Sequence, residues 1–200
     1  MKNNIVCFWW GDWGGGYGVK YVEKLYADLK KYVNVDYDFY CITDKPEKLN
    51  VPTIRFKPKF KWNLNKFEAY NPEHDIKGRI LTIDLDTLIL DNIDDIVEFE
   101  EEFITCEAIY QPKRAGGGVV GATNGYGYNN IWLPLVKNTN EVTKTTNGAE
   151  RFFFRQYLKN IPFFQHKYKG IYSYKKDGIL DDARIIMFHG RPRPHEKGFI

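Results

Sequence analysis

Apolar residues change their period several times along the chain, and each change marks an element. Residues 4–10, "NIVCFWW", form a near-continuous apolar run that ends in the glycine-dense stretch "GDWGGGYG". Such a run reads as a first strand. From Val19 the spacing turns helical, with Val22, Leu25, Tyr26 and Leu29 at i, i+3, i+4 and i+7. "DFYCIT" at 38–43 is a second strand, and "DKPEKLNVP" after it has loop chemistry. A short helix is expected over 64–70, closed by "NPEHD", and a strand over 79–83. Further along stand acidic helix-start signals at Asp91 and Asp94 and a glycine-led strand at 116–123, where a ligand or backbone comes close. Helices follow near 128–137 and 148–159, then a last strand in "ARIIMFHG". There is no internal repeat, low-complexity tract or linker. The alternation of strands and helices predicts one α/β domain over residues 1–200, a mostly parallel central sheet flanked by helices.

Composition adds limits. At 200 residues, 43% of them apolar, the chain can bury a sizeable core. Aromatics make up 16%, a surplus that suits a pocket where flat ligands stack. No apolar run approaches the roughly 20 residues of a membrane-spanning helix. Asp12 and bulky Trp residues stand where a signal peptide would carry small ones. Cys7, Cys41 and Cys106 are odd in number and widely spaced, giving neither a disulfide framework nor a zinc site. A reducing cytoplasm, the host's if the source is viral, is the expected compartment. A net charge of +3 does not by itself imply a nucleic-acid partner. "RFKPKFKW", if extended, puts Arg55, Lys57, Lys59 and Lys61 on one face, either as a solvated edge strand or as a surface for phosphates.

Candidate chemistry centres on "ILTIDLDTLIL" at 80–90. Residues i and i+2 of a strand share a side, so Asp84 and Asp86 are expected to project together. Neighbouring carboxylates repel unless a cation or a shared proton sits between them. Just after a parallel strand they lie at the carboxyl edge of the sheet, where open α/β sheets bind ligands. Such oxygens suit Mg²⁺ or Mn²⁺ shared with substrate phosphates; the alternative is a polar strand end. His189 closes the last strand, and Gly190, Arg191 and Arg193 follow. An imidazole beside guanidiniums reads as a diphosphate grip, and Mn²⁺ accepts mixed oxygen and imidazole ligands, so Asp84, Asp86 and His189 can share one ion. A structural histidine is the alternative. The first glycine-rich turn suits phosphates or a base, yet it carries neither the dinucleotide fingerprint nor a P-loop.

Five stretches in order, "WWGDWGGGYGVKYVEKLY", "FYCITD", "KWNLNKFEAYNP", "GRILTIDLDTLIL" and "IIMFHGRPRPHE", span nearly the whole chain. Through them the sequence resembles GT-A-fold glycosyltransferases of the glycogenin and bacterial galactosyltransferase type, and most of all small bacterial and phage members with a D-x-D motif. The resemblance implies a nucleotide-diphosphate-sugar donor, most often a UDP-sugar, and Mn²⁺ or Mg²⁺ held by Asp84, Asp86 and His189. It turns Gly11, Asp12 and Tyr17 towards base and ribose, with Thr43 and Asp44 as similar candidates. It sets Lys66, Gly190 and Arg193 at the diphosphate, and favours retention over inversion at the anomeric carbon. The acceptor hydroxyl would belong to a glycan or, as in phage members, to a hydroxymethylated base of DNA.

The chain departs from that family in three places. Relatives carry the late histidine where this chain has Met187, two positions before His189. Their Gly-Asp-Gln is replaced by Gly148, Ala149 and Glu150, and an Asn-Ser-Gly by Gly116, Gly117 and Gly118. Glu150 therefore orients a sugar hydroxyl, acts as a catalytic base beside Asp86, or simply begins a helix, where an acid is favoured. Two other classes fit part of the pattern. A nucleotidyltransferase also uses paired aspartates, but its opening loop carries Arg and Lys, absent here between Gly11 and Gly18. A non-catalytic nucleotide-sugar-binding module fits the altered residues 148–150.

Overall fold

A computed structural model describes residues 1–11 and 17–200. The six strands of its main sheet are β1 (Asn3–Trp9), β2 (Asp38–Thr43), β3 (Thr53–Arg55), β4 (Arg79–Ile83), β6 (Phe103–Ala108) and β7 (Gln111–Thr123), in the order β3-β2-β1-β4-β7-β6. The first four strands run parallel. β7 is antiparallel to both β4 and β6. A smaller sheet of β5 (Thr87–Ile89), β9 (Ile185–Met187) and β8 (Ile171–Ser173) stands beside it, in the order β5-β9-β8. The result is an α/β fold with a mostly parallel central sheet between helices.

Strand alternation divides the core. Ile5 and Cys7 of β1 pack with Tyr21, Val22, Leu25 and Leu29 of helix α1 (Val19–Tyr32). Val6 and Phe8 face the other way, onto Leu64, Phe67, Tyr70, Ile131, Phe153 and Phe154. A strand covered on both faces has no polar side to offer, which is why β1 reads as a continuous apolar run. The three cysteines are free and buried. Among the described residues, no helix is long and apolar enough to cross a membrane.

Several expected elements differ in detail. β4 ends at Ile83, and Asp84 to Asp86 form a tight turn closed by the Thr87 N–H on the Asp84 carbonyl (3.1 Å). The two aspartates therefore owe their common direction to a turn rather than to strand parity. The last strand is only Ile185–Met187, and His189 has a left-handed backbone (φ 51°), so its relation to Met187 is not one of parity either. The helix expected over 148–159 is Glu150–Tyr157. The helix expected over 128–137 begins earlier and runs Asn124–Gly127, Tyr128–Trp132 and Leu133–Lys137, the middle piece a wide π turn. Beyond β3 the basic stretch is not a strand, and three of its four basic side chains have partners. Arg55 pairs with Glu47 (2.9 Å), Lys59 with Glu68 (3.1 Å), and Lys61 donates to Asn147 Oδ1 (2.7 Å).

The topology places a crevice. β2 lies on one side of β1 and β4 on the other, so the chain reverses its winding between β1 and β4, where open sheets bind ligands beyond the strand ends. The small sheet then brings the far end of the chain to the same place. β5 pairs with β9, and the Phe188 N–H reaches the Asp86 carbonyl (2.9 Å), setting His189 beside the aspartate turn.

Candidate functional site

A cleft of about 640 Å³ opens at the ends of β1 and β4. Tyr17, Lys66, Asp84, Asp86, Glu150, His189 and Gly190 all line it, with Trp9, Trp10 and Phe152 among the aromatic part of its wall. Seven residues named from the sequence thus converge from both ends of the chain.

Its most buried feature is a cation between two acids. The short 3₁₀ helix Trp62–Tyr70 carries Lys66, whose ammonium donates to Asp84 Oδ1 and, at 2.8 Å, to Glu150 Oε1. Glu150 is the first residue of its helix and also lines the cleft. Gly117 makes room for it, since a Cβ there would sit 2.8 Å from Glu150 Oε1. Burial pushes the Glu150 carboxyl up to about 7 against the pull of Lys66. Burial also raises Asp84, opposed by Lys66 and reinforced by the charge of Asp86. Burial works against the Lys66 charge, but the two acids outweigh it and raise its pKa.

Asp86 is held from the other side. Its Oδ2 accepts the Tyr17 hydroxyl (3.0 Å) and the Gly190 N–H (2.9 Å). Burial, then the charge of Asp86, raises the Tyr17 phenol. The Arg193 guanidinium lies 4.3 Å from the centre of the Tyr17 ring, and its Nε and Nη1 are buried without a hydrogen-bond partner among the described residues. His189 Nε2 is buried and unpartnered in the same way. Burial lowers the His189 pKa against the pull of Asp86 and Asp84, which favours the neutral imidazole that can ligate a metal. Gly118 (φ 91°) shapes this wall, for a Cβ there would meet Met187 Sδ at 2.8 Å and His189 Cε1 at 3.4 Å.

Two carboxylates and an unpartnered neutral imidazole nitrogen are a donor set that suits Mn²⁺ or Mg²⁺. Among the described residues, no three His, Cys, Asp or Glu side chains are gathered into a ready cage. Asp84 is engaged by Lys66, and one oxygen of Asp86 by Tyr17 and Gly190.

Other candidates have different places. The Gly11 N–H donates to both Asp44 oxygens (3.1 and 3.3 Å), tying the end of β1 to the end of β2. Thr43 is buried and its hydroxyl accepts the Lys45 N–H (3.1 Å). Among the described residues, neither Thr43 nor Asp44 lines the cleft, and Arg193 reaches it through Tyr17. Asp12 lies outside the described residues. The sequence did not point to Asn63, Tyr110, Gln111, Arg151, Phe152 or Arg155, all of which line the cleft. The 3₁₀ helix Trp62–Tyr70 carries Asn63, the hairpin of β6 and β7 brings Tyr110 and Gln111, and the docking of helix Glu150–Tyr157 brings the other three.

No protein-family model matches the chain, and no curated protein sequence matches it. Its fold is similar to the crystal structure of the glycosyltransferase GlyE of Streptococcus pneumoniae TIGR4, with a TM-score of 0.68 and 12% identity. The match covers 100% of this chain and 57% of the GlyE chain, so the chain spans little more than half the length of that protein. At this identity the likeness is one of fold.

Proposed function

We propose that the chain transfers a sugar from a nucleotide-diphosphate sugar, a UDP-sugar by preference, to an acceptor hydroxyl. The observation that carries this reading is the cleft at the β1/β4 reversal. There two aspartates on one turn face a buried lysine and an unpartnered histidine. The fold shared with GlyE supports the same class of chemistry. Asp84, Asp86 and His189 would hold Mn²⁺ or Mg²⁺, which when bound supplies positive charge against the leaving diphosphate.

The protein's own groups divide the remaining work. The Lys66 ammonium and the Nε and Nη1 groups of Arg193 would take phosphate oxygens. The Trp9, Trp10 and Tyr17 side of the cleft suits the base. Glu150, held by Lys66, faces the sugar side, where its carboxylate orients the acceptor hydroxyl or takes its proton. Retention is the stereochemistry we favour, and a glycan or a hydroxymethylated DNA base the acceptor.

A thermal-shift panel of nucleotide sugars with and without Mn²⁺ tests donor and metal together, because a ligand of the native state raises its apparent stability. We expect a UDP-sugar to raise the midpoint and to be slowly hydrolysed in an Mn²⁺-dependent way. Asp86→Asn should lower that rate by about 10²-fold or more while changing the donor KM much less, as expected for a group acting on charge that develops in the transition state. No shift with any nucleotide sugar would refute the donor class, and undiminished hydrolysis in excess EDTA would refute the metal.

A further inference from the structure

Two arginines stand at one rim of the cleft, and Arg114 lies near enough for its charge to reach them. Arg151 and Arg155 line the cleft, and their guanidiniums lie 5.2 and 5.6 Å from the centre of one ring, Phe152. Arg155 is fixed by neutral partners, donating Nε–H to the Ala115 carbonyl and Nη1–H to Gln111 Oε1, each at 2.8 Å. Arg55, Arg184 and Arg191 each pair with a carboxylate. Among the described residues Arg151, Arg155 and the nearby Arg114 do not. The adjacent carboxylate of Glu150 takes its hydrogen bond from Lys66 and feels the charge of Arg151 more weakly. Burial, then the charges of Arg151 and Arg114, lower the pKa of Arg155, so the three feel one another.

Local structure explains one of these charges and not the other. Arg155 stands in the last turn of the helix Glu150–Tyr157, where the dipole favours a cation, as Lys30 and Lys31 do in helix α1. Arg151 is the second residue of that helix, at the end where the dipole disfavours a cation. Two guanidiniums on a cleft wall without an ion-paired carboxylate are what recognition of an anion requires. The groups that suit the diphosphate, Lys66, Gly190 and Arg193, converge on Asp84, Asp86 and Tyr17 instead, so the arginine rim serves another anion. Beside it, Gln111 turns its oxygen to Arg155 and keeps its amide N–H groups for a ligand, while Tyr110 on the same hairpin is 73% exposed. Together these groups suit a sugar ring that carries a negative charge.

We propose that Arg151 and Arg155 hold a phosphate or carboxylate on the sugar side of the cleft, distinct from the leaving diphosphate. This assignment rests on the glycosyl-transfer reading. The anion belongs either to a hexuronic acid in the donor or to a phosphorylated or acidic acceptor sugar, and two arms of one experiment separate these sources.

Isothermal titration of the full chain would compare UDP-glucuronate with UDP-glucose, and glucose 6-phosphate with glucose in the presence and absence of UDP. In at least one arm the charged ligand should bind about tenfold more tightly or better, the scale of a charge-assisted contact. In Arg151→Gln that preference should fall below about threefold, with UDP affinity and urea midpoint unchanged. Arg151→Lys should restore it only in part, because an ammonium lacks the bidentate fork. Absence of preference in both arms overturns the assignment, as does a preference that survives in both Arg151→Gln and Arg155→Gln. Failure of UDP itself to bind refutes the donor reading instead, and the glucose 6-phosphate arm without UDP still decides the rim.

Discussion

Lys66→Met is the most informative single perturbation of the site. The lysine side chain is 13% exposed, and the acids it bridges, Asp84 and Glu150, are 29% and 8% exposed. Removing one partner of a buried pair costs about 3–5 kcal/mol, because the charge left behind is unpaired. Asp84 opens to the cleft and to water, which screens it, so the cost here should be about 2–3 kcal/mol. That is a large share of a total stability of about 5–15 kcal/mol. Glu150→Gln alone leaves Lys66 with Asp84 and should cost about 1 kcal/mol, one hydrogen bond. The two changes together remove both the cation and one of the carboxylates that needed it. The double variant should therefore be about 1 kcal/mol or more better than the sum of the single losses. Urea unfolding in EDTA at pH 8 measures all four proteins under conditions where Glu150, pushed to about 7, is mostly ionised. Strict additivity, or a Lys66→Met loss below about 0.5 kcal/mol, would show that the ammonium is not holding the acids together.

Two further outcomes test the scaffold that presents Lys66. Glu68 is buried, accepts from Asn71 Nδ2 (2.8 Å) and pairs with Lys59 and His74 (3.1 Å each). Against burial, these partners hold its carboxyl below the ordinary range, so its stabilisation is present above the unfolded value of about 4.3 and is lost as pH falls through the folded one. Glu68→Gln should therefore lose about 2 kcal/mol at pH 7 and approach the unaltered chain near pH 3, and a gap constant over that range in urea titrations refutes the assignment. At Gly127 the backbone is helical, but an added Cβ would overlap the Tyr70 ring. Gly127→Ala should lower Tm by about 4–8 °C, for an overpacking cost of about 2 kcal/mol, whereas a higher Tm would mean that helix propensity outweighs the clash.

The sequence was most legible where burial acts on both faces of a strand. β1, β2 and β4 carry mainly apolar runs, and their observed limits differ by at most one residue from those expected. β9 lies within the strand expected in "ARIIMFHG", whereas β5 and β8 are three residues each, too short for a period to show, and their sheet depends on pairing across almost a hundred positions. β6 was hidden because acidic residues lead directly into it without a turn signal. The turn at Asp84–Asp86 was hidden for a related reason. "DLDT" contains no Gly or Pro, and Leu85 is buried like a strand residue, so the apolar pattern runs straight through the bend. The two aspartates line the cleft all the same, because a ligand edge is set by where a parallel strand stops, and β4 stops one residue before the first of them.

Local readings failed where function depends on what approaches from elsewhere. The run Gly116 to Gly118 signals a close approach, but the sequence cannot say by what. The structure supplies two answers, since Gly117 admits the Glu150 carboxylate, and Gly118 admits Met187 and His189. A side chain on residue 117 would occupy the space through which Glu150 reaches Lys66, and Asp84 would then have the lysine to itself. Glycine at 117 and the acid at 150 are therefore one feature split between two segments. The pair sets how much of the Lys66 charge is already engaged, since two bound carboxylates damp its field more than one does. The same arrangement gives the Glu150 hydrogen bond to Lys66, while Arg151 acts on that carboxylate only through its charge. One missing Cβ thus links the charge at Lys66 to the charge at the arginine rim.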